Sequence, residues 1–163
     1  MTDKLSTLLA TCGQLLIQKH HVLVTAESCT GGGIAYFLTS LPGSSAWFDS
    51  AFVTYSNLAK HRQLGVSQQI LQEQGAVSKA AALAMAAGAL KNSGASVSVA
   101  VTGIAGPSGG SLDKPVGTVW IAWATQASKL AKCFHFSGDR QAIRLATIHA
   151  ALEGVIHLID SPQ

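Results

Sequence analysis

The sequence predicts an α/β fold, a three-layer α/β/α sandwich around a mixed, mostly parallel sheet of about five strands. Three observations lead there. Short β-branched runs alternate with stretches of helical apolar spacing along the chain; serine and glycine punctuate the starts and ends of the helical stretches; and the one long glycine-rich connection, Gly103 to Pro115, joins two strands with no helix between them. With 163 residues, 48% of them apolar, the chain suits one domain, taken as residues 1–163, that encloses one core.

Residues 3–19 place Leu5, Leu8, Leu9, Leu15 and Leu16 at helical spacing, and "HVLVTA" follows as a first strand. "GGIAYFLTSLPGS" resumes the helical period until Pro42-Gly43, and "WFDSAFVTY" reads as a second strand. Three helical pieces come next: "SNLAKHRQLG", "SQQILQEQG" and the Ala-rich "SKAAALAMAAGALKNSG", each opened by a serine and closed near a glycine. "ASVSVAVTG" is a buried strand, "VGTVWIAWAT" and "KLAKCFHF" are two more, and "DRQAIRLATIHAALEGVIHLI" is a final amphipathic helix capped by Asp139. Helical crossovers set the first three strands parallel. The helix-free loop sends the fourth strand back antiparallel, and the short "QAS" turn brings the fifth round again.

Composition excludes several function classes. Only 12% of residues are charged and the formal net charge is +3, so there is no polybasic face and nucleic acid is not an expected partner. Cys12, Cys29 and Cys133 are odd in number and lack C-x-x-C spacing, which argues against a disulfide framework or a zinc site and fits a reducing cytoplasm. The N-terminus carries Asp3 where a signal peptide has basic residues, and no stretch approaches the ~20 uninterrupted apolar residues of a membrane span. Neither a signal peptide nor a membrane partner is expected.

In sheets of this kind ligands gather at the carboxyl ends of parallel strands. Three polar segments fall there: "ESCTGG", "TYSNLAK" and "TGIAGPSGG". Ser28 reads either as a nucleophile or as the end of the strand beside a helix cap at Thr30; the stretch matches neither the hydrolase elbow nor the P-loop. The backbone N–H groups of Thr30, Gly31 and Gly32, at the start of the following helix, suit an oxyanion or a phosphate.

If Ser56 caps the next helix, Lys60 lies in its first turns and leans back toward the strand end, beside Tyr55. The helix macrodipole and partial burial both depress the ammonium pKa there, toward the neutral amine that a base must be. Alone, the same lysine reads as a solvated surface residue. His61 is the one histidine near the cluster, and Cys29 is a rival nucleophile, although consecutive residues of an extended chain point to opposite sides. Gly103 and Gly106, in the segment opened by Thr102, let backbone approach a ligand closely, or belong to a plain connecting loop. No His/Cys/carboxylate set has ligand spacing; Glu27 alone is insufficient for a metal and reads as orienting backbone or substrate, so no metal or other cofactor is expected.

"AESCTGG", "PGSSAWF", "VTYSNLAK", "GAVS", "VTGIAGPSGG", "KPVGTVWIA" and "SGDR", in that order, resemble the CinA C-terminal family, and a chain of this length resembles its stand-alone nicotinamide-nucleotide amidase members. The resemblance covers nearly the whole chain. It implies hydrolysis of the carboxamide of nicotinamide mononucleotide to nicotinate mononucleotide and ammonia, in pyridine nucleotide recycling, with a small mononucleotide as partner. It places the family's proposed catalytic serine, tyrosine and lysine on Ser28, Tyr55 and Lys60. Leu58 stands where relatives commonly carry an acidic residue and Ser108 where they often have Asp; both bear on the pocket rim. The implied mechanism is acyl transfer through Ser28, with Lys60 as base, Tyr55 relaying or orienting the proton, and Thr30 to Gly32 holding the oxyanion.

For the substrate phosphate, Arg140 and Arg144 are candidates, one turn apart; pairing with Asp139 or with solvent is their plainer role. The other class of function is a non-catalytic nucleotide- or RNA-binding module, because fold does not fix function. The sequence leaves a homo-oligomer open.

Overall fold

The computed structural model describes residues 2–161. Five strands, β1 (Leu23–Glu27), β2 (Phe48–Val53), β3 (Val97–Gly103), β4 (Thr118–Thr125) and β5 (Lys129–His135), form one sheet in the order β2-β1-β3-β4-β5. β1 runs parallel to β2 and β3, whereas β4 is antiparallel to both β3 and β5. The expected reversal after the helix-free loop and the return of β5 are both present.

The helices are α1 (Asp3–Gln18), α2 (Gly33–Thr39), α3 (Asn57–Leu64), α4 (Gln68–Glu73), α5 (Lys79–Lys91) and α6 (Arg140–Asp160). Thr2, Ser56, Ser67, Ser78 and Asp139 cap α1, α3, α4, α5 and α6, each side chain accepting a backbone N–H three residues on. A single 3₁₀ turn, Ser44–Ala46, which the sequence did not signal, leads into β2.

The sheet separates two apolar clusters. On one face Leu5, Leu9 and Leu16 of α1, Ile34 and Leu38 of α2 and Ile143, Leu152 and Val155 of α6 meet Leu23, Val99 and Ile121. On the other, Leu64 of α3 and the alanines of α5 meet Val24, Ala100 and Ala122. Alternate residues of β1 and β3 therefore feed opposite layers, and both central strands are apolar or small throughout most of their length. The Ala-rich α5 is explained by close approach: a Cβ on Gly88 would collide with the backbone of Leu64. Gly154 of α6 likewise seats the Trp123 ring, whose Nε1 donates to Ala151 O at 2.9 Å.

Among the described residues one helix, the 21-residue α6, is long and apolar enough to cross a membrane. It nevertheless carries Arg140, Arg144 and Glu153, and its apolar stripe packs on α1, β3 and β4.

Candidate active site

Parallel register brings three strand ends to one edge of the sheet. Glu27 pairs with Val53 on one side and Val101 on the other, so Ser28, Thr54 and Thr102 follow at the same level. The Ser28 N–H donates to Val101 O at 3.1 Å, and its carbonyl accepts the Gly31 N–H at 2.9 Å. Ser28 thus leaves the sheet still anchored to β3 and turns at once. It is 8% exposed.

Lys60 reaches this serine from the neighbouring strand's crossover. Ser56 caps α3, the side chain of Lys60 lies back along the helix toward its N-terminus, and Nζ sits 2.9 Å from Ser28 Oγ and 2.8 Å from Thr54 O. Lys60 is only 1% exposed. Burial lowers its pKa to about 8, partly opposed by Cys29. In the contact Nζ donates to Ser28 Oγ; the lowered pKa favours the neutral amine, in which form Nζ could accept a proton instead.

The rival nucleophile, Cys29, lines the same cavity as Ser28 and Lys60, but burial works against its thiolate. Cys29 is buried among core residues, and burial pushes its thiol up to about 11, with the Glu27 carboxylate acting in the same direction. His61 is no rival to Lys60 as base, because its Nδ1 lies 2.8 Å from Val66 O at the far end of its own helix.

Ser28 and Lys60 open onto a cavity of about 280 Å³, bounded by Tyr55, Ala76–Val77, Thr102–Gly106 and Arg140. Thr102 Oγ1 donates to Ala76 O at 2.8 Å and so fixes the wall. Tyr55 is 61% exposed at the rim, and its hydroxyl accepts from Arg140 Nη2 at 2.8 Å; no hydrogen bond joins it to Ser28 or Lys60 among the described residues. Arg140 Nη1 donates to Gly106 O at 2.8 Å, tying the loop, the β2 exit and the start of α6 together. Its partners are thus the cavity rim, not Asp139.

Gly31, Gly32 and Arg144 line a separate cleft of about 500 Å³ with Tyr36 and Gln141. There the structure departs from the sequence expectation that Thr30 to Gly32 face the same pocket as Ser28. The physical reason is Glu27. Its fully buried carboxylate accepts from Thr30 Oγ1 (2.6 Å) and from the N–H groups of Ile34 (3.0 Å) and Ala35 (2.9 Å), so the N-terminus of α2 is already occupied. The Thr30 carbonyl accepts Arg144 Nη2 at 2.7 Å, which turns that guanidinium toward the loop. Neither Thr30 nor Ser28 caps α2; Gly32, with φ of 91°, stands at that position without a side-chain bond.

Residues the sequence reading did not single out are Ala76 and Val77, between α4 and α5, and Asn57 beside Lys60. Their apolar or neutral character gave no chemical signal. Of the two departures from relatives, Ser108 lines the cavity, whereas Leu58 lies outside it beside His61 and Leu71. A larger cleft of about 910 Å³, between β5 and the end of α6, is mainly apolar, with Trp123, Leu130 and Phe134 among its walls and no nucleophile paired with a base. No group of His, Cys, Asp or Glu that could hold a metal ion occurs among the described residues.

A profile of the CinA C-terminal domain matches residues 5–159. The nicotinamide-nucleotide amidohydrolase PncC of Pseudomonas putida is 49% identical over 156 residues, which are 96% of this chain and 98% of that protein. A CinA-like protein of Geobacter metallireducens is 53% identical over 147 residues, 90% of this chain but 36% of that longer protein. Among solved structures, the competence/damage inducible protein CihA from Agrobacterium tumefaciens superposes with a TM-score of 0.95 at 45% identity, covering 97% of each chain. The profile match over nearly the whole chain, together with relatives of this identity and coverage, shows that the chain belongs to the CinA C-terminal domain family.

Proposed function

We propose that this chain hydrolyses the carboxamide of nicotinamide mononucleotide, giving nicotinate mononucleotide and ammonia and serving pyridine nucleotide recycling. The observation that carries the reading is the Ser28–Lys60 contact, a serine hydroxyl 2.9 Å from a buried amine of depressed pKa. The substrate class is supported by the Pseudomonas putida amidohydrolase, which this chain matches over almost its full length.

Neutral Lys60 takes the Ser28 proton while Ser28 Oγ attacks the carboxamide carbon, forming a tetrahedral oxyanion. The lysine ammonium then protonates the amide nitrogen, the C–N bond breaks, ammonia leaves, and an ester on Ser28 remains. Water attacks that ester with Lys60 again as base, Lys60 returns the proton to Ser28 Oγ as the C–O bond to Ser28 breaks, and the acid product departs and ionises to the carboxylate. Because Nζ and Oγ are in direct contact, the proton needs no relay, and Tyr55 acts at the rim with Arg140. Ala105 and Gly106 line the cavity, which makes their backbone N–H groups the candidate donors to the oxyanion. Gly31 cannot serve, since its N–H is held by Ser28 O.

The cavity of about 280 Å³ lies near the low end of ligand pockets, roughly 300 Å³, and suits the pyridine ring and carboxamide. The ribose phosphate then extends past the rim toward the Arg140 guanidinium, which among the described residues lining the cavity is the one cation other than Lys60. The test is ammonia release from nicotinamide mononucleotide by the wild type and by Ser28→Ala. Release by the wild type alone supports the reading; release by both removes Ser28 from it.

A further inference from the structure

α2 departs from the other helices of this fold. The side chain at the N-cap position satisfies the first turn of α1, α3, α4, α5 and α6, yet the N-cap of α2 is Gly32, which has no side chain to offer, and a carboxylate from the preceding strand takes the Ile34 and Ala35 N–H groups. A serine or threonine cap would satisfy such groups without burying a charge. Burying a carboxylate is costly unless hydrogen bonds saturate it, and among the described residues no cation is a partner of Glu27. What the arrangement gains over a local cap is a cross-tie. Glu27 precedes Ser28 and Ile34 follows it, so the carboxylate closes residues 28–33 into a loop stapled at its base.

Every other fixed point of this loop acts on the same turn. Thr30 is held at its hydroxyl by Glu27 Oε2 and at its carbonyl by both Arg144 and the Gly33 N–H. Thr25 Oγ1 reaches the other carboxylate oxygen, Oε1, at 3.3 Å, and Ala35 N–H reaches it at 2.9 Å. Among the described residues, the hydrogen bonds that fix Ser28 are its backbone bonds to Val101 and Gly31 and the one from Lys60.

We propose that Glu27 is a positioning residue for the reaction: through Thr30 and the start of α2 it fixes the turn that holds Ser28 Oγ against Lys60. This rests on the reading of Ser28 as nucleophile. Gln at position 27 keeps the shape but offers one carbonyl oxygen in place of two carboxylate oxygens. The Thr hydroxyls can rotate to accept from its amide, whereas an Ile34 or Ala35 N–H facing it cannot. The turn then loses one of its ties, and misplacement of a reacting group by about 1 Å can cost about 100-fold in rate.

Two readouts test this at a temperature where circular dichroism shows each variant folded: kcat and KM for ammonia release from nicotinamide mononucleotide, and the rate at which a fluorophosphonate probe labels Ser28. Glu27→Gln is expected to lower both kcat and labelling about 100-fold with KM changed less than about threefold, and Thr30→Val to lower them about tenfold. Thr30→Ser should recover most of what Thr30→Val loses. The pH at which the rate rises should stay near 8, because Lys60 keeps its surroundings. Variants that melt earlier yet keep wild-type kcat and labelling, or that lose affinity in KM alone, overturn the proposal. If Ser28→Ala stays active the nucleophile itself is wrong; if Ser28→Ala is inactive while Thr30→Val works at the wild-type rate, only the positioning role fails.

Discussion

Lys60 Nζ lies 2.9 Å from Ser28 Oγ although 32 residues separate them, and both side chains are buried. The pairing is a product of sheet register. β1 and β2 run parallel and end level, so a residue just past β1 and one in the first turns of α3, after β2, meet at the same edge. An amine held there without a carboxylate partner has only desolvation acting strongly on it, and desolvation favours the neutral form.

The pH dependence follows from that direction. With the Lys60 pKa lowered from 10.5 to about 8, the neutral base accumulates as pH rises, and kcat/KM should climb through an apparent pKa near 8 and level off above it. Initial rates from pH 6 to pH 10 at constant ionic strength check this; a rate that is flat above about pH 7 would point to a base with a histidine-like pKa.

The same shift has a signature in stability. The folded-state pKa lies below the unfolded one, so between about 8 and 10.5 the unfolded chain holds a proton that the native chain has lost. Stability contributed by this group therefore rises with pH across that window, by roughly 2–3 kcal/mol, and does not change below it. Urea denaturation of the wild type and Lys60→Met at pH 7 and pH 10 should show the rise in the former and a smaller one in the latter.

Cysteine reactivity separates the two adjacent candidates for nucleophile. Burial raises Cys29 to about 11 and Cys12 to about 12, so in the native protein a maleimide at pH 7 should modify Cys133, the more exposed of the three, and leave the other two until denaturant is added. Cys29→Ala should keep kcat within about threefold, since no acyl transfer passes through it. Peptide mapping after labelling, together with steady-state kinetics of the variant, checks both statements.

Arg140 should act on binding. Arg140→Ala is expected to raise KM for nicotinamide mononucleotide about 10- to 100-fold, the worth of a charge-assisted hydrogen bond, with a smaller change in kcat. The same variant should show little change in KM for nicotinamide riboside, which lacks the phosphate. Equal losses on both substrates would assign Arg140 to holding Tyr55 and the Gly106 loop instead.

Much of the fold was legible because its signals are local. Ser56, Ser67, Ser78 and Asp139 cap the helices they precede, and the helix-free loop after Gly103 does reverse the next strand. The spacing of Lys60 from its cap was enough to aim it at the strand end. The role of Glu27 was less open to reading, since its partners are backbone groups seven and eight residues on that carry no side-chain pattern. Of the three expected loop N–H groups, that of Gly31 is held by Ser28 O, while the N–H groups that Glu27 takes are those of Ile34 and Ala35, further along α2. The direction of Tyr55 depends on Arg140, 85 residues away, a contact between loops that neither period nor cap specifies.

The most direct test is one assay on three proteins: ammonia released from nicotinamide mononucleotide by the wild type, Ser28→Ala and Lys60→Arg. Arginine keeps the charge and most of the length of lysine but does not deprotonate in this range, so it cannot serve as base. The wild type should release ammonia, and both variants should be slower by about 1,000-fold or more in kcat. Lys60→Arg within about tenfold of the wild type would reduce Lys60 to a source of positive charge. No release by the wild type, with the nucleotide still bound, would make the domain a nucleotide-binding module and contradict the account at its centre.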